Sequence, residues 1–121
     1  MIDTSEQHEK PSAQLIGLGQ LTIGSRRAGD VHIVDLFGEL DLATAAGLQR
    51  ELERVEGTDA SSIILDLAGL TFMDSTGVRL LLSAHARSRA DANRLTMLRG
   101  SAAVQRVLDL APAADFLPFA D

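Results

Sequence analysis

The stretch Ile63-Ile64-Leu65-Asp66-Leu67-Ala68-Gly69-Leu70-Thr71-Phe72-Met73-Asp74-Ser75-Thr76-Gly77-Val78-Arg79-Leu80-Leu81-Leu82 decides how this chain folds. Ile63, Ile64, Leu65 and Leu67 form the short continuous apolar run of a strand buried on both faces, about 63–67. Val78, Leu81, Leu82 and His85 then recur at helical spacing, which predicts a helix over about 75–90. The polar Asp74-Ser75-Thr76-Gly77 turn therefore joins a buried strand to a helix. Open α/β sheets present binding groups at the carboxyl ends of their strands, and a helix N-terminus adds unpaired N–H groups and the positive end of a dipole. Any activity is expected at this junction.

Upstream, Val31, Ile33 and Phe37 share one parity and Val34 and Leu36 the other, so a strand over about 31–37 is expected to be central. Gly38-Glu39-Leu40-Asp41 ends it. Ala45, Leu48, Leu52 and Val55 follow with polar residues between them, the pattern of an amphipathic helix with Asp41 or Thr44 as N-cap and Gly57 at its end. Leu18 to Ile23 and the turn-forming Ser25 to Asp30 read as a first strand and a hairpin. Residues 1–17 are polar, aperiodic and carry Pro11, which predicts a flexible arm before a domain at 18–121.

Downstream, Asp91-Ala92-Asn93 breaks the helix, and Leu95, Met97 and Leu98 make a further strand. Gly100-Ser101 opens a last helix with Val104, Val107, Leu108 and Ala111 facing inward, and Pro112 stops it. Phe116, Leu117 and Phe119 are apolar enough to cover a sheet edge or end. The order predicts one α/β domain: a small mixed β-sheet, with an N-terminal hairpin and then parallel β-α-β-α-β-α units, and helices packed on it.

At 121 residues, 45% apolar, the chain suits one such domain. Its formal charge of −6 and its scattered arginines argue against direct nucleic-acid binding, which needs clustered cations. The absence of cysteine excludes disulfides and thiolate chemistry. No signal-like start and no membrane-length apolar run appear, so a cytoplasmic protein without a membrane partner is expected. With four Phe and neither Trp nor Tyr, stacking platforms cannot be built.

Enzyme signatures fail in turn. Gly17-Leu18-Gly19 lacks the third glycine of a dinucleotide loop and precedes its strand, and no phosphate loop with Gly-Lys-Ser/Thr exists. His8, His32 and His85 have no ligand partners at metal spacing. A Ser75–His85 dyad would span ~15 Å along one helix, so His85 reads as a half-buried packing residue with one satisfied nitrogen. Asp66 and Asp74 invite comparison with a phosphate-accepting, magnesium-binding pair, but the only lysine, Lys10, lies in the arm, and Asp66 suits a backbone contact within the strand. Ser75 has two compatible readings: an N-cap, or a phosphate acceptor at a helix N-terminus whose N–H groups suit an added phosphate.

These residues resemble a known family, the STAS domains, and among them the stand-alone anti-sigma factor antagonists. Phe72-Met73-Asp74-Ser75-Thr76-Gly77-Val78 resembles the family's phosphorylation-site segment. Gly38-Glu39-Leu40-Asp41 with Thr44 resembles its Gly-Glu-Leu-Asp segment, and Ser101 with Val104 and Leu108 the start of its late helix. The match runs over roughly residues 20–111, in order and spacing. The resemblance implies a non-enzymatic, phospho-switched binding module in a stress response, with Ser75 as the phosphorylated serine and Asp41, Asp74, Ser75, Thr76 and Gly77 as the partner-binding set. It implies an anti-sigma factor that is also a serine kinase as partner, a serine phosphatase that resets the switch, no cofactor or metal of its own, and at most a weak homodimer. The alternative is a scaffold or regulatory STAS subunit of a stress-signalling assembly or a lipid-transport ATPase.

Overall fold

The structure is a computed structural model that describes residues 14–18 and 20–120. Its strands are β1 (Gln14–Leu18), β2 (Leu21–Ala28), β3 (Val31–Leu40), β4 (Ser62–Met73) and β5 (Leu95–Leu98). Its helices are α1 (Ala45–Glu56), α2 (Ser75–Ala90) and α3 (Ala102–Asp109), followed by a 3-10 turn at Pro112–Phe116. The strands lie side by side in chain order; β1–β2 and β2–β3 are antiparallel, β3–β4 and β4–β5 parallel. The expected α/β class and mixed sheet are what the chain forms.

Several expected boundaries move. Gln14 to Gly17, expected within the arm, pair with Thr22 to Ser25 as part of β1, because backbone pairing along an exposed edge needs no apolar period in the added strand. Residues 1–13 of that arm lie outside the described residues. The hairpin turn tightens to Gly29-Asp30, with Gly29 at φ 60°. β3 continues past its expected end at Phe37 to Leu40, and β4 past Leu67 to Met73. Two register shifts against β3 carry this extension, and Asp66 Oδ1 accepts from Ala68 N–H at 2.9 Å beside the first, the backbone contact expected of that aspartate. Gly38 is what allows the second: it holds φ 105°, and a Cβ there would stand 2.0 Å from the carbonyl oxygen of Gln20, which accepts from Glu39 N–H.

The strands are also not buried on both faces. Val34, Leu36, Leu65, Leu67 and Met97 lie fully inside with Leu48 and Leu52 of α1, Leu81 of α2 and Val104 of α3 in one cluster. The alternate residues Ile33 and Ile64 stay half-buried and Phe37 is exposed, because the three helices all contribute to that single core. After α3, Phe119 pairs in parallel with Met97, and Met97 N–H donates to Pro118 O at 2.9 Å, so the segment covers the β5 edge as expected. Leu117 is buried there, but Phe116 faces outward. Pro112 starts a 3-10 turn where α3 has already ended, at Asp109.

Candidate functional site

The carboxyl ends of β3 and β4 lie together, with Leu40 opposite Met73 and Asp74 N–H donating to Leu40 O at 3.3 Å. Two loops leave these ends side by side: Asp41 to Thr44 into α1, and Asp74 into α2. Each begins with an aspartate that turns back on its own backbone. Asp41 Oδ1 accepts from Ala43 and Thr44 N–H at 3.0 and 3.2 Å. Thr44 occupies the cap position of α1 but is buried; its hydroxyl accepts from Asp41 N–H and donates to Glu39 O, both at 3.0 Å. Thr44 holds the cap position, but no side chain caps α1: Asp41 binds loop amides ahead of the helix, and Thr44 ties the loop to the strand.

Asp74 Oδ1 accepts from Thr76 and Gly77 N–H at 2.9 and 3.3 Å, so Asp74 is the N-cap of α2. This corrects the capping reading of Ser75. Ser75 is the first residue inside the helix, exposed, and its hydroxyl has no hydrogen-bond partner among the described residues. Its place in the helix is not explained by any bond it makes. Thr76 is half-buried beside it.

Gly77 is buried. A Cβ on it would meet Met73 Cγ at 2.6 Å and Leu40 Cγ at 3.1 Å, so its role is to seat the first turn of α2 against the ends of β3 and β4. Two apolar side chains that sequence reasoning left out of the site stand on its rim instead: Leu42 is 77% exposed and Phe72 47% exposed. Both belong to segments whose other apolar residues, Leu40, Leu70 and Met73, turn into the core. An apolar residue breaking the alternation beside a polar turn was the available signal.

Asp66 lies within β4, eight residues before Asp74, roughly 26 Å away along an extended chain. The two cannot hold one ion between them. Among the described residues, no three His, Asp or Glu side chains gather as ligands for a metal, and no helix is long and apolar enough to cross a membrane. His85 is half-buried in α2, and its Nδ1 is buried without a partner.

A second polar group, which periodicity did not single out, lies under α1. Ser25, His32 and Glu51 are each at most 7% exposed. Ser25 Oγ lies 2.7 Å from His32 Nε2, and Arg54 donates to both oxygens of Glu51, at 3.0 and 2.6 Å. Burial, and then the Arg54 cation, hold the His32 pKa below its ordinary 6.5. Glu51 is also held below its ordinary value: burial opposes ionisation, but the Arg54 hydrogen bonds and charge outweigh it. Residues far apart in sequence make this group, so no spacing rule reveals it.

The family model described as STAS domain matches residues 23–121. Over 81 residues the chain is 33% identical to an anti-sigma F factor antagonist of Lysinibacillus sphaericus, covering 65% of this chain and 68% of that one. Over 71 residues it is 27% identical to the anti-sigma-F factor antagonist RsfB of Mycobacterium tuberculosis, covering 59% of this chain and 58% of the relative. Among solved structures, an anti-sigma factor antagonist from Mycobacterium paratuberculosis superposes with a TM-score of 0.72 at 20% identity, over 82% of this chain and 84% of that one. The antagonist SpoIIAA in its unphosphorylated form gives 0.62 at 24% identity, over 90% and 88%. The two structural likenesses speak to the fold alone.

Proposed function

This chain belongs to the STAS domain family, and from that premise we propose that it is an anti-sigma factor antagonist switched by phosphorylation of Ser75. In this reading the unphosphorylated protein binds an anti-sigma factor that is also a serine kinase, and so frees a sigma factor. The kinase, which brings the ATP, then modifies Ser75 and dissociates, and a serine phosphatase restores the binding form. The protein itself acts as a binding module and not as an enzyme. Asp41, Asp74, Ser75 and Thr76 form the polar part of the docking face, Leu42 and Phe72 its apolar rim, and Gly77 supports it from beneath.

The observation that carries this reading is the division of labour at the start of α2. Asp74 caps the helix, so the exposed Ser75 hydroxyl is left for a partner, with no hydrogen-bonded base among the described residues. A hydroxyl that needs no internal base suits a substrate whose chemistry is supplied from outside. Phosphorylation adds about −1.5 to −2 charges. At a helix N-terminus this is favourable in the free domain by ~0.3–1 kcal/mol, so the fold need not change. In a complex that buries Ser75, the same group must lose water beside Asp74 and Asp41, at a cost of several kcal/mol unless cations are supplied. Since ~1.4 kcal/mol is tenfold in affinity, that cost suffices to break a micromolar contact.

The test compares the parent, Ser75→Ala and Ser75→Asp as immobilised baits for extract of the source cell, with the captured protein identified. The parent and Ser75→Ala are expected to retain a protein with a serine-kinase ATP-binding domain, and Ser75→Asp to lose it. ATP should release it from the parent but not from Ser75→Ala. Equal capture by all three, with equal phosphate incorporation, would remove the assignment to Ser75.

A further inference from the structure

We propose that Arg79 is the cation that receives the phosphate on Ser75, closing an ion pair over the first turn of α2. This rests on the reading of Ser75 as the modified residue. Arg79 lies four residues after Ser75 in the same helix, and both side chains are exposed. Residues four apart on a helix face each other, with Cβ atoms ≈ 5–6 Å apart. Helical side chains also lean towards the N-terminus, so a long side chain at Arg79 can reach back over the turn that holds Ser75. An anion N-terminal to a cation at this spacing is the favourable order.

Arg79, like Arg50, Arg89, Arg99 and Arg106, makes no ion pair among the described residues, but of these five it alone stands four residues after Ser75. The first turn of α2 contains no acidic residue, and the cap Asp74 directs its Oδ1 to the Thr76 and Gly77 amides. A cation leaning towards the positive end of a helix dipole is unfavourably placed until an anion arrives. Phosphate on Ser75 would be that anion, and Asp74, with Asp41 in the adjoining loop, would leave Arg79 as the nearest counter-charge on the helix surface. The modification then changes the docking face twice: it adds the phosphate and withdraws a free arginine.

The test uses the full chain carrying phosphoserine installed at position 75 during translation, with the parent, Arg79→Gln and Arg79→Lys backgrounds titrated by phosphorus NMR. The second phosphate pKa in the parent is expected to lie below that in Arg79→Gln by about 0.3 unit or more. Arg79→Lys should keep much of the difference. The urea midpoint should rise on phosphorylation more in the parent than in Arg79→Gln, while unphosphorylated Arg79→Gln is no less stable than the unphosphorylated parent. The same pKa in parent and Arg79→Gln, or the same rise in midpoint, overturns the proposal. Because no kinase is involved, a shifted pKa with failed partner capture overturns only the kinase reading. An unshifted pKa with ATP-released capture overturns only the Arg79 pairing.

Discussion

Asp74 and Ser75 are adjacent residues with separate tasks, and only their hydrogen bonds tell them apart. From sequence the cap reads as Ser75, although Asp74 before it carries an equally short oxygen-bearing side chain. The extended backbone of Asp74, at φ −112° and ψ −171°, aims its carboxylate at the next amides, whereas Ser75 is already helical. His32 shows the same dependence on surroundings. Its folded pKa is lowered, so the fold favours neutral imidazole; the unfolded chain binds more protons below about pH 6.5, and the stability this contributes is present above that value and lost as pH falls beneath it. Arg54 and Arg27 reinforce the effect and Glu51 opposes it. Urea midpoints at pH 7.5 and 5.5 should therefore fall more for the parent than for His32→Gln. Glu51 loses its charge only below its ordinary 4.5, outside that window. Equal falls would show that His32 does not titrate differently in the fold.

At the scale of elements, the junction of β4 with α2 is a packing problem solved by a glycine. Helix propensity alone favours Ala over Gly by about 1 kcal/mol. Gly77→Ala would nevertheless force a methyl onto Met73 and Leu40, and overpacking of this kind costs ~1–3 kcal/mol. We expect a net loss of about 1 kcal/mol in chemical denaturation and weaker partner capture, because the turn bearing Ser75 shifts outward. A more stable variant would show that propensity outweighs packing here. The Asp74-Ser75-Thr76-Gly77 turn was legible in the sequence as a strand-to-helix junction. Its glycine was not legible as a buried residue, because the side chains that crowd it come from β3 as well as β4.

For the whole molecule, the last residues complete the sheet. Met97 exchanges hydrogen bonds with Pro118 and Ala120 at 2.9 Å, and Leu117 and Ala114 are each 6% exposed. A chain stopped after Leu110 would lose about 1.5–3 kcal/mol from Leu117 alone and would leave the β5 edge open to pairing between copies. A truncated protein with the parent's urea midpoint that stays monodisperse on a sizing column would contradict this account. The α/β class and the alternation of strands and helices from β3 onward were readable from periodicity and turn residues, but the expected first strand, Leu18 to Ile23, divides between β1 and β2, and Ser25 to Ala28, expected as loop, belongs to β2. The arm boundary, the reach of β3 and β4, and the open face of the sheet were not readable either.

The sequence by itself determined the strand-to-helix junction at Asp74 to Gly77, which stripes are apolar and which serine stands at the head of α2. Those properties depend on neighbours within a few residues, through helical or strand period and local hydrogen bonding. Only the tertiary structure decided that Asp74 and not Ser75 caps the helix, that Gly77 is packing and not surface, that Leu42 and Phe72 flank the site, and that Ser25, His32, Glu51 and Arg54 share one buried group. Burial, and the satisfaction of polar atoms, depend on what distant parts of the chain bring to the same place, and no local pattern records that.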